Sequence, residues 1–412
     1  MRPPADLPRS ALVLGLARQG EAAAAALERR GVRVVHADRK LGNDADPALL
    51  DGVDVLIKAG GVPNEQPLPA AARARGVPIW SDVELAFRIL PNPFLAVTGT
   101  NGKTTTTALL GEMFRSAGRE AAVAGNIGLA VCALDGRVPA DAWIVCELSS
   151  FQLEHVERFR ARIAVLVNLA PDHLDRHGTF EAYAAAKLRA FERQEVDDVA
   201  VVPRGFGAVP GRARRVEFAA DDPLPREPAL RGRHNRENAA AATACARAAG
   251  LPDAAIAGAL ESFPGVPHRL EVVREIAGVT YVNDSKATNV AAALPALEAY
   301  GDAQVHLILG GSLKGEPFGP LAEALGVNIR GVYLVGEAAD TIESAIAGRG
   351  VAVERSGDLE HAVADAGSAA RSGDVVLLSP ACASYDQFRD FEERGERFRA
   401  LVGALEAPAA SR

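Results

Sequence analysis

A chain of 412 residues is too long for one ordinary hydrophobic core and, at ~150 residues per domain, allows two or three. Apolar residues make up 48% and charged residues 24%, and the net charge of −8 disfavours a general nucleic-acid surface while leaving room for a local cationic pocket that binds anions. Cys132, Cys146, Cys245 and Cys382 are scattered without a C-x-x-C pair, the opening MRPPADLPRS lacks an apolar signal core, and no run of ~18 apolar residues occurs, so the expectation is a reducing cytoplasm with neither membrane nor nucleic acid as partner.

Residues 11–90 read as a small α/β unit. A short strand over 11–14 leads through a turn at 15–20 into a helix ending near Arg30, and a second strand over 32–37 ends at Asp38. A glycine-bearing first turn with an acid at the end of the second strand is how a Rossmann-like unit holds a nucleotide, although Ala17 stands at the middle glycine position and a plain packing turn is the alternative. A third strand over 53–57, a turn at Gly60 and Gly61, a helix over 68–75 and a strand over 77–80 follow, and Pro91-Asn92-Pro93 breaks the chain.

The next stretch, AVTGTNGKTTTT at 96–107, has the layout of a phosphate-binding loop: an apolar strand, a turn with Gly99 and Gly102, and threonines opening a helix. Backbone N–H groups of Gly99, Thr100, Asn101 and Gly102 can approach phosphate oxygens. The helix N-terminus with Thr105 adds its dipole, Lys103 reaches the β and γ phosphates, and the Thr104 hydroxyl suits Mg²⁺. The spacing Gly-x-x-Gly-Lys-Thr lacks the first glycine of the longer pattern, and a strand-to-helix turn with a solvated lysine is the plainer alternative.

Strands over 143–146 and 163–167 deliver Glu147 and Asn168 to their C-terminal ends, where open α/β sheets bind ligands. Such a glutamate holds a metal or caps a helix. His173 is an uncommon Mg²⁺ ligand, and Lys187, on a helix over 179–191, is as an ammonium unable to ligate a cation. Residues 205–228 read as loop with one strand near Val216, 238–249 as helix and 263–267 as a linker. Beyond it, apolar runs over 279–282, 305–309, 332–335 and 375–378 alternate with helical intervals, which implies a further parallel or mixed sheet.

Taken together and in order, GTNGKTTT, GNIG at 125–128, ELSSFQLE at 147–154, NLAPDHLDRHG at 168–178 and AAKLRAF at 185–191 resemble the Mur ligase family of ATP-dependent amide-bond-forming enzymes. GRHNRENAAAA at 232–242, PHRLEVV at 267–273, NDSKATN at 283–289, LGGSLKG at 309–315 and LLSPACASYDQF at 377–388 are similar to the branch that adds D-glutamate to UDP-N-acetylmuramoyl-L-alanine.

The resemblance implies an α/β protein of three domains. These are a Rossmann-like UDP-substrate domain over 1–90, a central P-loop ATPase-type domain over 91–264 and a Rossmann-like glutamate-binding domain over 265–412. It implies a monomer that turns over small-molecule substrates with ATP and two Mg²⁺ ions. Lys103 would hold phosphates, Thr104 and Glu147 a first Mg²⁺, and His173 a second beside Lys187, which the family carbamylates with CO₂. ATP would also meet Asn238, Arg269 and Asp284, with Lys286 at the transferring phosphoryl group. Arg18, Gln19, Asp38, Arg39, Asn126 and Ser149 would contact the UDP precursor, and Thr288, Lys314, Ser384 and Phe391 the glutamate. Ala59-Gly60-Gly61 departs from the Ser-Pro-Gly of relatives, and residues 205–231 form a shorter segment than theirs.

Overall fold

The computed structural model describes residues 7–126, 128–230, 232–313, 315 and 317–405. The chain divides into two compact units, one taking residues up to 229 together with 235–263, the other 230–234 together with residues from 264 on.

The first unit carries two sheets. In the smaller, β1 (Ser10–Leu14), β2 (Arg33–Ala37), β3 (Val55–Lys58) and β4 (Ile79–Trp80) are parallel in the order β2-β1-β3-β4. The larger is built from β5 (Phe94–Thr98), β6 (Ala121–Gly125), β7 (Trp143–Glu147), β8 (Ile163–Leu166), β9 (Val199–Pro203) and β10 (Arg214–Phe218). All six are parallel, in the order β10-β9-β8-β5-β7-β6. The chain runs outward from β5 to β6, returns through β7, and then crosses to β8 on the opposite side. The strand order therefore reverses beside β5, which opens a crevice at the C-terminal ends of β5 and β8. Every residue of β5 is buried, as expected of a central parallel strand covered on both faces. Phe87, Phe94 and Phe159 meet edge-on at 5.5–6.0 Å in a core that continues from the first sheet into the second.

The second unit holds β11 (Glu271–Ile276), β12 (Val279–Asn283), β13 (Val305–Gly310), β14 (Ile329–Val335), β15 (Ala352–Gly357) and β16 (Val375–Leu378). They are ordered β11-β12-β16-β13-β14-β15, and only the hairpin of β11 with β12 is antiparallel.

The strands expected from the sequence fall within two or three residues of where it places them. Strands β6, β9, β11 and β15 carry no such expectation. β6 is AAVAG, which reads as readily as helix, and β15 is an edge strand, AVERSG, whose exposed charged residues interrupt any alternation. The strand expected near Val216 is β10, an edge strand beside β9. Among the described residues no helix is long and apolar enough to cross a membrane, and the four cysteines are buried and unbridged.

Candidate active site

Register sets the first half of the site. β5 pairs with β7 so that Val97 lies beside Glu147, and with β8 so that Thr98 lies beside Leu166, which brings Gly99, Glu147 and Asn168 to one end of the sheet. Gly99 has a φ of +152°, and a Cβ there would stand 3.1 Å from Val167 Cβ and 3.2 Å from the Asn168 backbone. Gly102 has a φ of +78°, and its Cβ would stand 2.0 Å from Asn238 Oδ1. Both positions are closed to side chains, so the loop's backbone stays bare for a ligand. Asn168 fixes the loop from the neighbouring strand: its carbonyl accepts from Thr100 N–H (3.0 Å) and its Oδ1 from Asn101 N–H (2.8 Å).

Lys103 opens the helix Lys103–Ser116 and turns back on the loop, donating to the carbonyls of Gly99 (3.0 Å) and Thr100 (2.7 Å). Lys187, on the helix Phe180–Leu188, donates to the same Gly99 carbonyl at 2.6 Å. It is 2% exposed. Burial first, then the neighbouring Lys103, push its amine down to about 7, against the pull of Asp172 and Glu147. One turn earlier on that helix, Tyr183 lays its ring 4.7 Å from Lys187 Nζ and bonds its hydroxyl to Thr100 Oγ1 at 3.0 Å. Sequence reasoning passed over Tyr183. Its spacing of four from Lys187, which puts both on one helix face, was the available signal.

Glu147 is 1% exposed, and its Oε1 accepts from Asn126 Nδ2 at 3.1 Å. Its Oε2 is buried without a hydrogen-bond partner. A buried carboxylate oxygen left unpaired is costly, and a hard cation is the partner that suits it. Thr104 and Thr105 sit buried in the helix's first turn. His173 lies further out, half exposed, with Nε2 3.5 Å from Asp172 Oδ2. Among the described residues no three His, Cys, Asp or Glu side chains gather as a metal site, so Glu147 and His173 are not joined by a third protein ligand of those types.

The expected UDP-precursor residues surround the same end of the first unit. Arg18 donates to the Asn126 carbonyl at 3.3 Å, Ser149 caps the helix Ser150–Leu153 in a capping box with Gln152, and a Cβ at Gly60 would lie 3.9 Å from Ser149 Oγ. Asp38 accepts from Leu16 N–H (2.6 Å) and Lys40 N–H (2.8 Å), and these two bonds hold its carboxyl below the usual range. It thus joins the loops after β1 and β2. Arg39 is exposed in the next turn, while Gln19 lies in the first turn of the helix Arg18–Glu28.

The second unit brings its own candidates together. Asn283 lies beside Leu378 across β12 and β16, so Asp284 and Ser379 follow side by side, and the Ser379 hydroxyl donates to Asp284 Oδ2 at 2.7 Å. Burial raises the Asp284 carboxyl to about 7 even though Ser379, Arg269 and the Leu270 N–H oppose the rise. Lys286 Nζ stands 4.7 Å from the Phe391 ring, and the Thr288 N–H bonds the Lys286 carbonyl. Ser384 is buried, its carbonyl accepting from Phe388 N–H at 2.8 Å. Arg394, which the sequence did not single out, clamps these loops: it donates to the carbonyls of Ser285 (2.8 Å), Cys382 (3.1 Å) and Ala383 (3.3 Å). Burial lowers it to about 10. Lys314 lies outside the described residues.

The Mur ligase middle domain matches residues 97–206, and the Mur ligase, glutamate ligase domain matches residues 268–382. The chain is 45% identical to the UDP-N-acetylmuramoylalanine--D-glutamate ligase of Anaeromyxobacter dehalogenans, over 95% of this chain and 96% of that protein. It is 40% identical to the ligase of the same name from Myxococcus xanthus, over 96% and 98%. The fold is shared with MurF ligase from Thermotoga maritima in complex with ADP (TM-score 0.61, 19% identity, 87% of this chain and 92% of that one). It is shared too with the UDP-N-acetylmuramate-alanine ligase MurC of the same organism (TM-score 0.59, 18% identity, 97% and 100%).

Proposed function

The chain belongs to the Mur ligase family, and from that premise we propose that it is the ATP-dependent ligase that joins D-glutamate to UDP-N-acetylmuramoyl-L-alanine in peptidoglycan precursor synthesis. The observation that carries the reading is the convergence of Lys103 and Lys187 on the Gly99 carbonyl, with Lys187 electrostatically coupled to Glu147. A carboxylate and a triphosphate repel each other, and cations are what such a reaction needs from its protein.

In this reading the alanine carboxylate of the precursor attacks the γ-phosphorus of ATP, giving an acyl phosphate and ADP. The glutamate nitrogen, having lost its proton, attacks the acyl carbon. The tetrahedral intermediate expels phosphate, its nitrogen gives up one further proton to solvent, and the amide remains. Lys103 and the backbone of Gly99, Thr100, Asn101 and Gly102 bind phosphate oxygens, with Asn238 closing the loop from behind and Arg269, Asp284 and Lys286 serving the nucleotide. Arg18, Gln19, Asp38, Arg39, Asn126 and Ser149 orient the precursor. Thr288, Ser384 and Phe391, with Lys314, hold the amino acid.

Mg²⁺ fits the residues present, because Glu147 Oε2 is a buried hard oxygen without a partner and Thr104 offers a hydroxyl in the same loop. Glu147 and Thr104 would hold one ion and His173 another beside Lys187. When bound, the metal neutralises phosphate charge. Lys187 joins as a ligand only once its amine has become a carbamate, and an amine at about 7 has the neutral fraction that reaction uses. The three sheets support three domains over 1–90, 91–264 and 265–412. The enzyme works as a cytoplasmic monomer.

The test is ADP formation with UDP-N-acetylmuramoyl-L-alanine, ATP, Mg²⁺ and either enantiomer of glutamate. D-glutamate should drive turnover. Equal or faster turnover with L-glutamate, or none without a different amino acid, overturns the assignment.

A further inference from the structure

Two histidines lie four residues apart in NLAPDHLDRHG, and only His173 has a part in the proposed reaction. His177 is the more firmly held. Its side chain is 2% exposed, its Nδ1 lies 3.0 Å from Glu154 Oε1 and its Nε2 lies 2.9 Å from Ser150 Oγ. A carboxylate oxygen accepts, so Nδ1 carries the proton and Nε2 accepts from the Ser150 hydroxyl, which is the bonding of a neutral ring. Burial pushes the imidazole below its usual range, in keeping with that state. The ring stacks on Phe151 (5.3 Å, 6°) and meets Tyr183 edge-on at 5.3 Å.

His173 stands at the other end of the single turn Leu174–His177, and its backbone has a φ of +51°, uncommon for a residue with a side chain. Its carbonyl accepts from the N–H groups of Arg176 and His177, and its ring lies 4.9 Å from Phe151. The strained residue is therefore held by a turn whose far end is pinned through His177.

The pin continues into the loop after β3. Glu154 Oε2 accepts from Asn64 Nδ2 at 2.9 Å, and Asn64 Oδ1 is 2.8 Å from His155 Nε2. The Val62 carbonyl accepts from buried Lys58 at 2.7 Å and from Arg176 at 3.4 Å. Residues 58–64 are thus bonded both to Glu154 and to the turn that carries His173.

We infer that His177 and Glu154 are positioning residues that tie the 58–64 loop to the His173 turn, so that occupancy of the precursor site and the conformation of His173 are set together. This rests on the functional reading above in assigning Ser149 to the UDP precursor, and a Cβ at Gly60 of the 58–64 loop would lie 3.9 Å from Ser149 Oγ. By linkage, ordering either element favours the other.

The experiment binds UDP-N-acetylmuramoyl-L-alanine to the full chain without ATP or metal, by calorimetry, and follows hydrogen exchange over 173–178. In the parent protein precursor binding should slow that exchange. His177→Phe keeps the ring and removes both hydrogen bonds, and Glu154→Gln keeps the volume. Each should weaken precursor binding by about 5- to 10-fold and abolish the protection, with ATP-analogue affinity changed less than about 2-fold. His177→Asn, which keeps a donor toward Glu154, should recover most of the binding. Unchanged precursor affinity in both variants, parent exchange that ignores the precursor, or equal weakening of precursor and nucleotide overturns the inference. A parent protein that binds the ATP analogue but not the precursor overturns the functional reading itself.

Discussion

Lys103 and Lys187 donate to one acceptor, the carbonyl oxygen of Gly99, at 3.0 and 2.6 Å. Two ammonium groups around one carbonyl repel each other, and the buried one yields its proton more readily. The phosphate loop and the helix Phe180–Leu188 are joined by that bond, so the chemistry of Lys187 is coupled to the loop it holds.

Lys187 near 7 exposes a neutral nitrogen that can attack the carbon of CO₂, forming an N–C bond and releasing one proton. With ¹³C-bicarbonate, the protein should show a carbamate carbon resonance that is absent from Lys187→Met. Lys187→Arg should be as inactive as Lys187→Met, since a guanidinium does not deprotonate. A persistent resonance in Lys187→Met would place the carbamate elsewhere.

The same depression has a stability consequence. Between about pH 7 and pH 10 the unfolded chain keeps a proton on this lysine that the folded chain has released, so folding stability rises with pH across that window. The slope is at most ~1.4 kcal/mol per pH unit. Urea unfolding of the carbonate-free protein should show this rise, and Lys187→Met should flatten it. Parallel profiles would mean that the amine is not depressed.

Asp284 has the opposite sign. Its folded carboxyl is raised to about 7, so between about pH 4 and pH 7 the folded chain holds the extra proton, and stability falls as pH rises through that range. Asp284→Asn should remove the fall and be the more stable protein at pH 8, while binding ATP analogue less tightly. Loss of stability at pH 8 in the variant would contradict the raised carboxyl.

Glu147→Gln keeps the acceptor for Asn126 and removes a buried charge whose second oxygen is unpaired. We expect turnover to fall by about 100-fold, equal to ~2.7 kcal/mol of barrier, with a melting temperature unchanged or higher. A variant that melts several degrees lower yet retains turnover would show the carboxylate to be structural.

Gly102→Ala introduces a Cβ 2.0 Å from Asn238 Oδ1 at a positive φ. It should destabilise the protein by about 1–3 kcal/mol in urea. Adding Asn238→Ala should recover the part due to the clash and leave the part due to the backbone. Full recovery would mean that the φ is relaxed without strain.

Sequence by itself determined the family and the α/β class, because ordered motifs and apolar runs are local patterns. It also brought Lys103, Glu147 and Lys187 forward as candidates. It could not show that Lys187 and Lys103 share an acceptor, since the two are brought together by the adjacency of β5 and β8 and by a helix that follows much later in the chain. For the same reason it read Ser384 and Phe391 only through resemblance, and missed Arg394, which joins the nearby Cys382 and Ala383 carbonyls to that of Ser285, 109 residues away in sequence. His177 shows the limit most plainly. As a letter it is a second histidine in a turn, and only packing against Phe151, Ser150 and Glu154 makes it a pin. Burial and long-range hydrogen bonds are properties of the folded chain, and they decide which polar residues are chemically unusual.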